Sequence, residues 1–296
     1  MASTRFAPDR GLTSRMVIVM FLLGLLYVSA IVGLIVAGVN AALVLVIAGG
    51  FLFAQWFFSD KLALMAMRAR EVTAEEAPEL HAIVDRLCAL ADMPKPRIAY
   101  ADSDMPNAFA TGRSPKKAVI CVTRGIMQRL ETPELEGVLA HELSHVAHRD
   151  VAVMTVASFL GVLAGLVARW GLYFRGGNNN NAAIVFVVVW LASIAVYVIS
   201  FLLTRALSRY REFAADRAGA YLTGQPSALA SALTKISGDM AQIPTKDLRR
   251  AQPAQAFFFA PAAVGKSLGN LLSTHPTTEA RIARLAEISA QLGRPT

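Results

Sequence analysis

The segment with the most chemistry in this sequence is His141-Glu142-Leu143-Ser144-His145. Residues four apart on a helix share a face, so the two imidazoles stand one turn apart and can converge on a single Zn²⁺. Glu142, beside them, can take a proton from a water at that ion. The same spacing also arises where two histidines are merely packed on a helix, so a third ligand is the discriminating feature. One class of such sites finds it in a histidine six residues past the second, but Val151 holds that position here. The other source is a carboxylate from a later helix. Glu212-Phe213-Ala214-Ala215-Asp216 offers Glu212 as that ligand. Asp216, one turn further along the same face, can accept a hydrogen bond from a ligand histidine. The competing reading of Glu212 is a surface ion pair with Arg209 or Arg211.

Three histidines remain. His275 lies in Ser273-Thr274-His275-Pro276, just before a final helix. From a loop end it could donate to a developing oxyanion, or it is a plain turn residue. His148 reads as an interfacial residue near the motif, since catalytic Zn²⁺ usually takes three protein ligands. His81 lies far from the motif and receives no role.

These residues need elements to bring them together. Thr132-Pro133-Glu134 predicts a helix start, with Thr132 as N-cap and an acid near the positive dipole end; that helix is expected to run through Arg149. Apolar spacing predicts helices over Ala77–Asp92 and Thr277–Leu292. Short strands are expected at Arg97–Ala101, Ala108–Thr111 and Ala118–Val122. No charged residue occurs from Met16 to Phe58, long enough for two membrane passes with a turn at Gly38-Val39-Asn40. Val151–Ala168 and Ala182–Thr204 are two more charge-free runs, joined by a Gly/Asn-rich loop. Basic residues cluster at the outer flanks of both hairpins, and only Arg169 and Arg175 lie in the opposite loops. Both termini and the segment between the hairpins are therefore expected in the cytoplasm. A hairpin between the two motifs would return Glu212 to the membrane face that carries His145.

Composition agrees. Of 296 residues, 55% are apolar and only 17% charged, with a mean hydropathy of +0.46; soluble domains carry about 25% charged residues. The net charge of +8 is met by arginines at membrane edges and needs no nucleic acid. Cys88 and Cys121 are too few for a disulfide framework and read as reduced thiols. Ala260–Ser267 loosely fits a phosphate-binding loop, but too little chain follows for the required parallel sheet, so no nucleotide is expected.

His-Glu-Leu-Ser-His, Glu-Phe-Ala-Ala-Asp and Ser-Thr-His-Pro, in this order around two hairpins, resemble the HtpX family of bacterial inner-membrane zinc metalloproteases, of the gluzincin clan and related to the CaaX prenyl proteases. The resemblance covers almost the whole chain. It implies an α+β integral membrane protein with four transmembrane helices and a mostly helical protease domain holding a small antiparallel sheet. The expected parts are an N-terminal arm and hairpin (1–58), the first part of a cytoplasmic protease domain (59–150), a second hairpin (151–204) and the second part of that domain (205–296). By the same resemblance His141, His145 and Glu212 are the zinc ligands and Glu142 the general base. Asp216 is an acid behind the ligands, and His275 a transition-state donor. Asn107-Ala108-Phe109 resembles the family's edge segment, whose backbone pairs with substrate. An independent argument points the same way, since a protease with no unfolding motor must take an extended chain, and a sheet edge binds one through its main chain. The implied function is quality control and stress response, by cleavage of misfolded or damaged membrane proteins at the bilayer's cytoplasmic face. The rival readings are a prenyl-protein endopeptidase, for which four spans look too few to enclose a lipid chamber, and a non-catalytic scaffold, against which the intact Glu142 argues.

Overall fold

The computed structural model describes residues 10–36, 46, 49–50, 53–54, 56–170, 180–242 and 275–293. The elements are α1 (Arg10–Val36), α2 (Ser59–Met67), β1 (Arg70–Glu71), α3 (Pro78–Ala91), β2 (Arg97–Ala101), β3 (Ala108–Thr111), β4 (Val119–Thr123), α4 (Arg124–Arg129), α5 (Thr132–Ala147), α6 (Asp150–Trp170), α7 (Asn180–Thr223), α8 (Pro226–Gln242) and α9 (Thr278–Leu292). The three expected strands and the helices at 78–91, 132–147 and 278–292 form close to where the sequence places them. The second expected span and the turn at 38–40 fall largely outside the described residues. The 171–179 loop and the 260–267 segment fall wholly outside.

The sheet runs β1-β2-β4-β3. The expectation of an antiparallel sheet is corrected to a mixed one, because β2 and β4 are parallel while β1–β2 and β3–β4 are antiparallel. The cause is chain order: β3 takes the outer edge, and β4 returns between it and β2. The register of β3 follows from its first contacts. Thr123 N donates to Asn107 O, so Asn107, Phe109 and Thr111 turn their main chain toward β4. Ala108 and Ala110 turn theirs outward.

One core joins sheet and helices: Leu80, Val84 and Leu87 of α3, Ile98, Ile120 and Val122 of the sheet, Leu135, Val138 and Leu139 of α5, Leu229 and Leu233 of α8, and Leu285 and Ile288 of α9. α5 is the central element and is buried nearly all round. Its start differs from the expected Thr132 cap: Glu131 is the N-cap and forms a reciprocal capping box with Glu134. Glu134 also accepts from Ser231 Oγ (2.6 Å) and Lys235 Nζ (2.7 Å), which ties α8 to α5. The end of α5 is a second correction. The helix stops at Ala147, and Arg149 turns left-handed (φ 56°) before α6 begins at Asp150. No glycine or proline marks that break in the sequence.

α7 crosses α5 closely because residue 219 is glycine. A Cβ there would lie 2.9 Å from His141 N and 3.2 Å from His141 Cα. The helix is continuous over 44 residues, so the expected 204/205 boundary falls inside one element. Val19 and Leu23 of α1, Ala157 of α6 and Leu207 of α7 form a separate cluster. Phe21 and Val28 of α1 and Val188, Leu191 and Leu202 of α7 are exposed. Among the described residues one helical segment, Trp190–Thr223, is long and apolar enough to cross a membrane, and Thr13–Ser29 is apolar but shorter.

Candidate metal centre

α5 supplies His141 and His145 on one face, and α7 lays Glu212 against them. His141 Nε2 and His145 Nε2 are 3.1 Å apart. Glu212 Oε2 is 3.7 Å from the first and Oε1 is 3.5 Å from the second. Four ligands at about 2.05 Å in a tetrahedron lie about 3.3 Å from one another, so these separations fit one zinc ion.

The ring tautomers make the same point. His141 Nδ1 lies 3.0 Å from Asp216 Oδ1, and His145 Nδ1 lies 2.5 Å from Asp150 Oδ2. With each Nδ1–H donated to a carboxylate, both Nε2 atoms carry lone pairs. Two lone pairs facing each other across 3.1 Å repel unless a cation stands between them. Burial pushes the His141 pKa down to about 4, so the ring is neutral and able to ligate at neutral pH.

Glu142 is buried, and burial raises its carboxyl pKa to about 7. Its Oε2 accepts the Ala110 N–H at 2.8 Å, so the edge strand and the base candidate are in direct contact. His275 Nδ1 lies 3.1 Å from Glu212 Oε2. A small cavity sits beside His145 at the end of β3, between Ala110, Gly112 and Ala118 on one side and Val146 and Val151 on the other.

The structure thus brings together His141, Glu142, His145, Glu212, Asp216 and His275, all singled out from the sequence. Ala108 lies on the edge strand, but Asn107 and Phe109 face β4, and the second outward main-chain pair belongs to Ala110. His148 donates its Nδ1–H to Ser144 O (2.8 Å) at the end of α5, and His81 Nε2–H donates to Val72 O (3.1 Å). Neither belongs to the metal-type group, which is His141, His145 and Glu212.

Three residues were missed. Arg281, fully buried on α9, donates Nε to Asp216 Oδ2 (2.8 Å) and Nη2 to Oδ1 (2.6 Å), and its Nη1 lies 3.5 Å from Glu212 Oε2. Its signal was available, since Arg281, Leu285 and Ile288 occupy one helical stripe and all three are buried. Asp150 and Arg211 form a buried ion pair behind His145.

Comparisons with known proteins identify the family. The family model described as Peptidase family M48 matches residues 74–289. The Protease HtpX homolog 1 of Streptomyces coelicolor is 58% identical over 294 residues, covering 98% of this chain and 97% of that protein. The Protease HtpX homolog of Moorella thermoacetica is 51% identical over 292 residues, covering 97% and 98%. Among solved structures, that of S. mikatae Ste24p matches with a TM-score of 0.47 and 17% identity, over 83% of this chain and 64% of that one. The expected HtpX resemblance is borne out, and the chain belongs to peptidase family M48, a family of zinc metalloproteases.

Proposed function

We propose that this protein is a membrane-embedded zinc endopeptidase that cleaves misfolded or damaged membrane proteins at the cytoplasmic face of a bacterial inner membrane. The observation that carries the reading is the convergence of His141, His145 and Glu212 beside a buried Glu142 that touches the outermost strand of the sheet. Zinc held by those three residues supplies a Lewis acid that acidifies water and polarises a carbonyl.

The remaining work falls to the chain's own side chains and backbone. Glu142 takes the proton from the attacking water and delivers it to the leaving amine. His275 donates to the developing oxyanion. Asp216, held by Arg281, keeps His141 in the ligating tautomer. Ala108 and Ala110 turn their N–H and C=O groups to the outer side of the strand, where an extended substrate pairs with them once the Ala110 N–H leaves Glu142, and such main-chain pairing tolerates many sequences. The cavity beside His145 lies toward the C-terminal end of β3, so an antiparallel substrate sets a side chain there from the N-terminal side of its scissile bond.

Four spans are part of this reading. The charge-free run before residue 59, the exposed apolar side chains of α1 and α7, and the placement of arginines support two hairpins with both termini in the cytoplasm.

The test is Glu142→Gln in the full-length protein in detergent. The variant is expected to keep about one zinc per chain by elemental analysis and to lose cleavage of unfolded membrane proteins. Membranes carrying the variant should accumulate the substrates by quantitative proteomics. Continued cleavage by the variant, or accumulation confined to prenylated proteins, would overturn the proposal.

A further inference from the structure

Each ligand histidine is backed by a carboxylate, and each carboxylate by a buried arginine. His141 leans on Asp216 and Arg281, which come from α7 and α9. His145 leans on Asp150 and Arg211, and here the carboxylate is the first residue of α6, the helix that opens a charge-free run. The second arrangement requires an unusual backbone. Arg149 adopts φ 56°, a left-handed conformation that costs a non-glycine residue about 1 kcal/mol or more. That turn swings Asp150 back over the last turn of α5, where Oδ2 meets His145 Nδ1 at 2.5 Å. The α6 N-terminus favours the carboxylate's charge. Its other oxygen is taken by Arg211, which is 4% exposed and immediately precedes Glu212. One ion pair therefore joins the ends of α5 and α6 to the ligand-bearing turn of α7.

We propose that Asp150, held by Arg211, is the positioning residue for His145, and that it makes metal retention depend on how α6 is seated. The Nδ1–H of His145 is committed to Asp150, so Nε2 keeps its lone pair on the metal side. Arg211 holds Asp150 in place and keeps its charge from being drawn toward the ion. α6 is seated against α1 and α7 through Ala157, which is 1% exposed and whose carbonyl accepts from Thr204 Oγ1 at 3.1 Å. A shift of α6 at that contact moves Asp150 and frees the ring. This inference rests on the zinc site proposed above.

The experiment measures zinc affinity by chelator competition on the full-length protein in detergent, together with the absorption spectrum of the cobalt-substituted form. Asp150→Ala and the nearly isosteric Asp150→Asn are expected to bind zinc about 10–100-fold more weakly and to alter the cobalt spectrum. Arg211→Met should do the same, with partial recovery in Arg211→Lys. Ala157→Leu should weaken binding severalfold in the wild-type background and add little to Asp150→Asn, because both act through one contact. Glu134→Gln, remote from the metal, should lower the melting temperature and leave affinity alone. If wild-type protein binds zinc and both Asp150 variants match its affinity and spectrum, the positioning role is overturned. Full additivity of Ala157→Leu with Asp150→Asn would overturn the link to α6. Failure of the wild type itself to bind zinc would instead refute the site.

Discussion

Gly219→Ala separates two opposing effects of one methyl group. In a helix interior alanine is favoured over glycine by about 1 kcal/mol, so local propensity alone would stabilise the protein. The new Cβ, however, would lie 2.9 Å from His141 N, 3.2 Å from His141 Cα and 3.3 Å from Ala140 C. These are backbone atoms of a packed helix and cannot rotate away. Reaching even a tight contact of 3.4 Å requires α5 and α7 to part by about 0.5 Å, and overpacking of this kind costs about 1–3 kcal/mol. Glu212 lies two turns before Gly219 on the same face of α7, so the separation carries it away from both histidines. Metal–ligand distances tolerate only about 0.2 Å. We therefore expect Gly219→Ala to lower zinc affinity at least tenfold while changing the melting temperature of the metal-free protein by only a few degrees. Chelator competition and thermal unfolding in excess chelator read the two quantities separately. Gly238→Ala on α8, where a Cβ meets nothing within 4 Å, is the control and should only stabilise. Wild-type zinc affinity in Gly219→Ala would refute the argument that glycine sets the ligand spacing.

Two further outcomes concern pH. Burial favours the neutral form of Glu134, but its hydrogen bonds from Lys235, Ser231 and the Glu131 N–H prevail and hold its pKa below the ordinary value. Its contribution is thus present at neutral pH and lost as the carboxylate protonates below about pH 4.5; Glu134→Gln should cost about 1–3 kcal/mol at pH 7 in denaturant titrations, and a loss unchanged between pH 7 and pH 3 would contradict this. Burial raises Cys88 to about 11 and Cys121 to about 12, so both thiols stay protonated in the fold, their contribution is full below about pH 9 and lost as pH rises from there through about 11–12, and they should resist iodoacetamide at pH 8 until denaturant is added. Rapid labelling of the native protein would refute their burial.

What could be read from the sequence was what is local. His141, Glu142 and His145 declare themselves because helical spacing alone puts them on one face. Glu212 followed from the expectation that two charge-free runs between the motifs form a hairpin and return the chain to its starting side. The strands were visible as apolar runs between turn residues, but their order was not, since the insertion of β4 between β2 and β3 is a pairing between distant segments. β1 has two residues, too few for any periodic signal. The break after α5 was hidden because Arg149 takes a conformation usually left to glycine. The roles of Asp150 and Arg281 were illegible for a different reason, even though Arg281 shares a helical stripe with Leu285 and Ile288. Each looks like an ordinary charge at the start of a helix, and only the packing of α6 and α9 shows which histidine or carboxylate it serves.

The hydrogen bond between Glu142 and the Ala110 N–H has a consequence for timing. At rest the Ala110 N–H is committed to one oxygen of that carboxylate and is not free to pair with a substrate. A ribbon of backbone arriving along that outer strand competes for the N–H with its own carbonyl, and in winning it would free that oxygen at the moment a bond to be cut has come within reach. The trigger is then a peptide group, which every polypeptide has, in a shape that only an unfolded one can present.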